Sequence, residues 1–152
     1  MAGQAPQLSI PQLPHLKAVI ISAAWHPEIC NALVSGAVRG FQAAGINNPI
    51  TRTVAGSFEL PLAAQLAFDE GFDVAVIVGL VLRGETPHFD YVCQGVTQGV
   101  MDVSLSRSKP IGFGVLMCDS LEQATARAGL PGSKEDKGYD SALAALSVIH
   151  KG

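Results

Sequence analysis

The chain has 152 residues, of which 48% are hydrophobic and 15% are charged, and its formal net charge is −3 at pH 7. This length suits one domain around one core, and the scarcity of charge leads us to expect that apolar surface is buried in a homo-oligomer. The small negative charge and the lack of a lysine/arginine cluster argue against nucleic acid as the main partner.

The N-terminal part of the chain predicts an arm, a strand and a helix. Residues 1–14 carry three prolines, so we expect an N-terminal arm ahead of one domain that spans residues 15–152. Residues 16–23 are mostly apolar and predict a buried strand. Apolar residues recur every four positions from Ile29, which predicts a helix that ends at Gly45.

The next unit is a short strand followed by a helix. Residues 50–55 predict the strand, and residues 56–59 predict a loop. Pro61 stands where the first turn of a helix tolerates a proline. Leu62 and Leu66 are one helical turn apart, so we expect them to mark the buried face of this helix.

The second half of the chain continues the alternation of strands and helices. Residues 74–82 form the longest apolar run and predict a strand buried on both faces. Valines at helical spacing predict a long helix, and residues 111–117 predict a fourth strand. A Ser-Leu-Glu-Gln capping box opens a short helix over 121–128, and a loop at 130–136 leads to a last helix.

This alternation predicts an α/β fold with three α/β/α layers. Right-handed crossovers favour a four-stranded parallel sheet in the doubly wound, flavodoxin-like order 2-1-3-4. In that order, the loops after the first and third strands flank the crevice where open parallel sheets bind ligands. Trp25 and His26 are then expected to face residues 83–88, with residues 56–59 nearby.

The most informative motif is Arg-Gly-Glu-Thr-Pro-His at residues 83–88, directly after the third strand. An ordinary polar turn is the simplest interpretation, but the concentration of titratable and hydrogen-bonding groups favours a site. Glu85 and Thr86 offer backbone donors at a helix N-terminus, which suits an anion. His88 is the candidate general acid or base, because imidazole titrates near neutral pH, although a lone histidine is more often structural.

Five other side chains are candidate ligand contacts, and most also have a simpler structural interpretation. Trp25 is either a stacking surface for a flat heterocycle or a buried indole at the edge of the core. Phe113 lies within a strand, so we expect it by default to pack in the core. Glu59 either accepts hydrogen bonds from the hydroxyls of a polyol or only stabilises the N-terminus of a helix. Arg127 either binds a phosphate or only stabilises the C-terminus of a helix. Lys137 begins a helix, a poor place for a cation unless it binds an anion.

The residues alone therefore indicate a cytoplasmic α/β protein that binds a planar, phosphorylated or polyol ligand. Cys30, Cys93 and Cys118 include no CxxC pair, which favours reduced thiols over a disulfide scaffold. Four histidines without close carboxylates predict no metal site. Neither a signal-peptide pattern nor an apolar run of membrane length occurs, so we expect no membrane partner.

Residues 83–92, Arg-Gly-Glu-Thr-Pro-His-Phe-Asp-Tyr-Val, resemble the signature of the 6,7-dimethyl-8-ribityllumazine synthase family. The resemblance covers about residues 16–150. Further segments match family motifs in the same order, namely 56–61, 113–116, 122–129 and 136–138. Trp25-His26 and the segment 129–138 look most similar to actinobacterial members.

The resemblance implies an enzyme that joins 5-amino-6-(D-ribitylamino)uracil to 3,4-dihydroxy-2-butanone 4-phosphate, with release of phosphate and water. It implies no metal and no organic cofactor. Carried over by position, Trp25 stacks on the pyrimidine, where relatives more often have phenylalanine. Ser57, Phe58 and Glu59 hold the ribitylaminouracil, and His88 transfers protons.

The same resemblance assigns residues around these positions. The ribitylaminouracil site takes main-chain contacts and part of its wall from the end of the third strand, at Leu80, Val81 and Leu82. Glu85 and Thr86 match the loop on the side of the butanone phosphate.

The resemblance also implies that the site is shared between subunits. Phe113, Arg127 and Lys137 correspond to groups that a neighbouring subunit donates, so a pentamer is the minimum active unit. Phe113 belongs to the ribitylaminouracil site, and Arg127 and Lys137 belong to the butanone phosphate site, with Arg127 on the phosphate. Family members occur as pentamers, pentamer pairs and capsids, and a short connection before the last helix accompanies capsids. Here the connection at 130–136 is longer and contains a proline, and the proline-bearing arm is a poor strand to add to a neighbour's sheet, so we expect a free pentamer.

Two other functions are compatible with the same fold. One is a non-catalytic flavin-binding or shell-forming protein, and the other is a flavodoxin-like binder of a sugar phosphate. A non-catalytic flavin binder would retain Trp25 but would not need His88 and Arg127 together, and this chain has both.

Overall fold

The structure, a computed structural model, describes residues 3–149. Four strands form one parallel sheet: β1 (Ala18–Ala23), β2 (Ile50–Val54), β3 (Val74–Leu82) and β4 (Ile111–Cys118). Five α-helices surround it: α1 (Pro27–Ala43), α2 (Leu60–Asp69), α3 (His88–Arg107), α4 (Leu121–Thr125) and α5 (Lys137–Ile149). A 3-10 turn (Ser57–Glu59) precedes α2.

The order of the strands is β2-β1-β3-β4, as the sequence predicts. In register, Val19 of β1 lies beside Ile50 of β2, and Ser22 of β1 lies beside Val78 of β3. β4 forms one edge of the sheet and pairs only with β3 among the described residues. Since all four strands run in one direction, the loops that follow them leave from one edge of the sheet.

Both faces of the sheet are covered, which confirms the three-layer architecture. On one face, Ile20 and the even-numbered residues of β3 pack against α1 and α5, where Leu33, Phe41 and Leu146 are fully buried. On the other face, Ile21 and Ile77 pack against α2 and α3. β1 and β3 alternate between the two cores, which explains their nearly continuous apolar runs.

Small residues let α5 approach α1 closely. A Cβ added at Gly138 would overlap the backbone carbonyl of Leu33, and one added at Gly40 would lie 2.7 Å from Cβ of Ala142. Backbone atoms cannot move aside cheaply, so Gly138 is required for this packing.

The structure corrects the prediction for α2. Leu62 and Leu66 are each more than half exposed, and the buried residues are Leu60, Ala64, Ala67 and Phe68. The helix carries two apolar stripes, and the one that faces the sheet combines Leu60 and Phe68 with the small residues Ala64 and Ala67. The leucine stripe is left at the surface of the subunit.

The short helix α4 is also shorter than predicted, since it ends at Thr125 and not at residue 128. Its capping box is only half formed. The Ser120 hydroxyl accepts a hydrogen bond from the Gln123 amide at 3.2 Å, but the Gln123 side chain accepts from Asp119 and not from Ser120.

The arm has no helix or strand over residues 3–12. Its end is tied to the start of the domain, because the Leu13 amide donates to the Ala44 carbonyl at 2.7 Å. Residues 1–2 of the predicted arm and residues 150–152 of the predicted domain lie outside the described part. Within residues 3–149, no helix is both long and apolar enough to cross a membrane.

Candidate functional site

The loops after β1 and β2 meet at the carboxyl edge of the sheet. The Trp25 ring lies against Gly56, where an added Cβ would be 3.4 Å from ring atoms Cδ1 and Nε1. The Glu59 carboxylate lies beside the same glycine, at 3.3 Å from that Cβ position. Trp25 and Glu59 therefore flank one point, and the indole is 67% exposed and free to stack on a ligand.

Two features hold the Trp25 loop in place. His26 adopts the left-handed conformation, with φ of 53°, and thereby turns the chain sharply into α1. The Cys30 thiol, in the first turn of α1, donates a hydrogen bond to the Trp25 carbonyl at 3.1 Å. Burial raises the pKa of this thiol, so it remains a protonated donor near neutral pH.

The 3-10 turn brings Ser57 and Phe58 to the strand and helix that follow. Ser57 is buried, and its hydroxyl lies over Gly79 of β3, at 2.5 Å from the position of an added Cβ. The Phe58 ring lies on Gly95 of α3, at 2.6 Å from the Cβ position there. Phe58 is nevertheless 60% exposed, so its ring presents one face outward.

β3 ends beside these groups. Leu80 is buried, whereas Val81 and Leu82 are half-buried at the last two positions of the strand. The loops after β1 and β2 therefore meet as predicted, and the second loop also contacts β3 and α3. That Trp25 faces residues 83–88 stays a prediction.

The motif at residues 83–88 is exposed and connects β3 to α3. Glu85, Thr86 and His88 all reach solvent, and the His88 amide lies 3.4 Å from the Thr86 hydroxyl, which accepts from it. His88 is the first residue of α3, as predicted for a side chain at a helix N-terminus.

Arg83 ties this motif to the loop after β4. Its Nε donates to Asp119 Oδ1 at 2.7 Å, and its guanidinium lies 4.4 Å from the centre of the Phe89 ring. The Asp119 carboxylate raises the pKa of the Arg83 guanidinium above its ordinary value. Pattern reasoning overlooked this contact, because a pairing across 36 positions of sequence has no local signal.

Three of the candidate residues lie elsewhere on the subunit. Phe113, Arg127 and Lys137 line a groove of about 1070 Å³ along β4, between the N-terminal arm and α5. The groove is lined by none of the side chains around Trp25 or His88. Phe113 is exposed, contrary to its default as a core residue, because β4 is an edge strand. One subunit therefore presents the candidates as two separate groups.

A small hairpin positions the two cations of the second group. Ala128 and Asp136 form an antiparallel bridge, and the Lys137 amide donates to the Arg127 carbonyl at 3.0 Å. Arg127 and Lys137 are therefore cross-strand neighbours. The Arg127 guanidinium also donates to the Gln123 carbonyl at 2.8 Å, as expected for an arginine at a helix end.

Glu135 lies between these cations and was not identified from the sequence. Its carboxylate is 3.0 Å from Lys137 Nζ and 3.5 Å from Arg127 Nε. In an extended segment, side chains two positions apart lie on the same side of the chain, so Glu135 and Lys137 are neighbours. The sequence would have indicated this pair if the segment had been predicted as extended. Burial raises the pKa of the neighbouring Asp140 carboxyl, although the Lys137 ammonium opposes that shift.

Comparison with known proteins identifies the family. Residues 15–151 match the family described as 6,7-dimethyl-8-ribityllumazine synthase. A protein of that name from Streptomyces coelicolor is 48% identical over 149 residues, which are 97% of this chain and 92% of the relative. One from Paenarthrobacter aurescens is 53% identical over 133 residues, 88% of this chain and 82% of the relative.

A third relative of the same name, from Cutibacterium acnes, is 46% identical over 145 residues, 95% of this chain and 87% of the relative. All three organisms are actinobacteria, which agrees with the resemblance drawn from the motifs. The chain therefore belongs to the 6,7-dimethyl-8-ribityllumazine synthase family of transferases.

Proposed function

We propose that this protein condenses 5-amino-6-(D-ribitylamino)uracil with 3,4-dihydroxy-2-butanone 4-phosphate to form 6,7-dimethyl-8-ribityllumazine in riboflavin biosynthesis. The observation that carries the proposal is the packing of Trp25, Glu59 and the 3-10 turn at the carboxyl edge, in a chain of this family. An exposed indole beside a carboxylate suits a flat pyrimidine that bears a polyol. All three cysteines are free thiols, which suits the reducing cytoplasm, where we place the reaction.

In this proposal the first group of residues binds the ribitylaminouracil. Trp25 stacks on the pyrimidine, and Glu59 accepts hydrogen bonds from the ribityl hydroxyls. Ser57 and Phe58 fix the ring between the 3-10 turn and α3. Residues 80–82 supply the wall and main-chain hydrogen bonds at the end of β3.

Arg127 and Lys137 of the second group, donated by a neighbouring subunit, bind the butanone phosphate, whereas Phe113 of that group contacts the ribitylaminouracil. Arg127 and Lys137 are neighbouring, half-buried cations that suit a phosphate, but they lie in a groove apart from Trp25. We therefore propose a pentamer in which Phe113, Arg127 and Lys137 complete the site of the next subunit, opposite Glu85 and Thr86. The exposed leucine stripe of α2 is apolar surface of the kind that an assembly buries.

The chemistry needs positioning more than a protein nucleophile. The 5-amino group attacks the ketone, and loss of water gives an imine. Loss of the proton on the neighbouring carbon then expels phosphate and leaves an enol, which becomes a ketone. The ribitylamino nitrogen attacks that ketone, and loss of a second water closes the ring. His88 moves protons in these steps, Arg127 stabilises the departing phosphate, and most of the acceleration comes from holding two reactants in register.

The direct test mixes the purified protein with both substrates and follows formation of the fluorescent lumazine. A rate above the spontaneous reaction is expected, and no excess rate would overturn the proposal in favour of a non-catalytic flavin or sugar-phosphate binder. His88→Ala should slow turnover by about ten- to a hundredfold, because positioning survives.

Arg127→Ala should slow turnover more than His88→Ala, since it removes phosphate binding as well as stabilisation of the leaving group. The matched control is Arg52→Ala, which removes an arginine paired with Glu70 on the outer surface and should leave turnover unchanged. Wild-type kinetics in Arg127→Ala would show that this position was assigned wrongly.

A further inference from the structure

The carboxylate of Glu135 occupies the space between the two cations of the second group. Lys137 Nζ lies 3.0 Å from Oε1, and Arg127 Nε lies 3.5 Å from Oε2, so each oxygen faces a different cation. A phosphate that bridged Arg127 and Lys137 would need the same place. The carboxylate and the phosphate therefore compete for one pair of cations.

Backbone hydrogen bonds that do not involve the Glu135 carboxylate hold the segment that carries it. The Gly129 amide donates to the Glu135 carbonyl at 3.0 Å, and the Glu135 amide donates to the Ala126 carbonyl at 3.1 Å. Together with the Ala128–Asp136 bridge, these bonds hold the two segments in register. Losing the charge at Glu135 should therefore leave the hairpin in place.

The charges explain why an acid stands here. Arg127 and Lys137 are cross-strand neighbours, and two cations so placed repel each other when no anion is bound. Glu135 removes that repulsion in the empty site. The side chains of Glu135, Lys137 and Arg127 are 26%, 27% and 42% exposed, so the carboxylate has solvent into which it can swing.

We propose that Glu135 is a stand-in anion, which holds Arg127 and Lys137 together in the empty site and yields its place to the phosphate of the substrate. This inference rests on the proposed function. It implies that the enzyme binds phosphate more weakly than its two cations alone would allow. Weaker binding speeds the departure of product phosphate, because the carboxylate returns to the cations as the phosphate leaves.

The test is Glu135→Gln, which keeps the shape of the side chain and removes its charge. Two half-buried ion pairs disappear, so inorganic phosphate should bind about three- to tenfold more tightly to the assembled protein, measured by calorimetry and by inhibition. The KM for the butanone phosphate should fall in the same proportion. Glu135→Ala should shift phosphate affinity in the same direction, which provides a second neutral variant if glutamine disturbs folding.

Two controls show whether the effect comes from the local charge at residue 135. They test it against a change in side-chain shape and against a change in the net charge of the protein. Glu135→Asp keeps a carboxylate beside the cations and should stay within about twofold of the wild type. Glu122→Gln removes one exposed acid of α4 that forms no ion pair among residues 3–149, and it should not change phosphate affinity. Unchanged or weaker phosphate binding in Glu135→Gln would overturn the inference, as would equal tightening in Glu135→Asp.

Failure of the inference can be told apart from failure of the proposed function. If the wild-type protein forms no lumazine, the proposed function is wrong, whatever phosphate does. If the wild type is active but Glu135→Gln leaves phosphate binding unchanged, only the stand-in role is wrong.

Discussion

Adding one methyl group at Gly95 should impair substrate binding without destabilising the fold. In Gly95→Ala, the new Cβ would lie 2.6 Å from Cε1 of Phe58. Carbon atoms in contact are normally about 3.5 Å apart or more, so the ring must move by roughly 1 Å. The ring is largely exposed, so it can move at little cost. Alanine in place of glycine also favours a helix interior by about 1 kcal/mol.

We therefore expect Gly95→Ala to weaken activity while it preserves or increases stability. A misplacement of about 1 Å can cost up to about a hundredfold in rate, and we expect the KM for the ribitylaminouracil to rise about tenfold. The midpoint of urea unfolding should stay the same or increase. Steady-state kinetics and urea titration measure the two quantities on one preparation.

A double-mutant cycle decides whether the effect passes through the ring. In a Phe58→Ala background, Gly95→Ala should have no further effect on KM, because there is no ring to displace. Thr97→Ala, an exposed change on the same helix, improves helix propensity without touching Phe58 and should leave KM unchanged. An unaltered KM in Gly95→Ala, or equal increases with and without the Phe58 ring, would refute this reasoning.

Three other predictions concern different parts of the molecule. Riboflavin should quench the fluorescence of Trp25, the single tryptophan of the chain, and an unquenched signal at saturating flavin would contradict stacking. Gly138→Ala should lower the free energy of unfolding by about 1–3 kcal/mol, since its Cβ overlaps the Leu33 carbonyl, and an unchanged urea midpoint would contradict this. Light scattering should report a free pentamer, because the connection at 130–136 is long and contains a proline. Hollow sixty-subunit shells would show that this loop does not limit assembly.

Features that depend on local pattern were predictable from the sequence. β3 spans the predicted residues 74–82, because a nine-residue apolar run rich in valine and isoleucine, bounded by Asp73 and Arg83, favours a strand buried on both faces. The 2-1-3-4 order followed from the handedness of crossovers. That order then placed Trp25 near the loop before α2 without any knowledge of side chains.

Features that depend on packing between elements were not predictable in the same way. The spacing of Leu62 and Leu66 shows an apolar stripe, but spacing does not say whether the stripe meets the sheet or another subunit. The exposure of Phe113 follows from the position of β4 at the edge, not from its own sequence. The Glu135 contacts depend on a hairpin register set by backbone bonds that leave no mark on composition.

The hairpin that joins Ala128 to Asp136 has a consequence for evolution. Its two sides carry Arg127 and Lys137 below the bridge, whereas its tip, residues 130–134, lies above it. At the tip, Pro131 and Gly132 are exposed, and a side chain added at Gly132 would meet nothing within 4 Å. Ser133 and Lys134 bond to the carbonyls of Thr125 and Ala126, so changes in length are tolerated best at Pro131 and Gly132. Insertions there can accumulate while the spacing of the two cations is inherited unchanged. A lineage could alter how its subunits associate through this tip and still keep the same anion-binding pair.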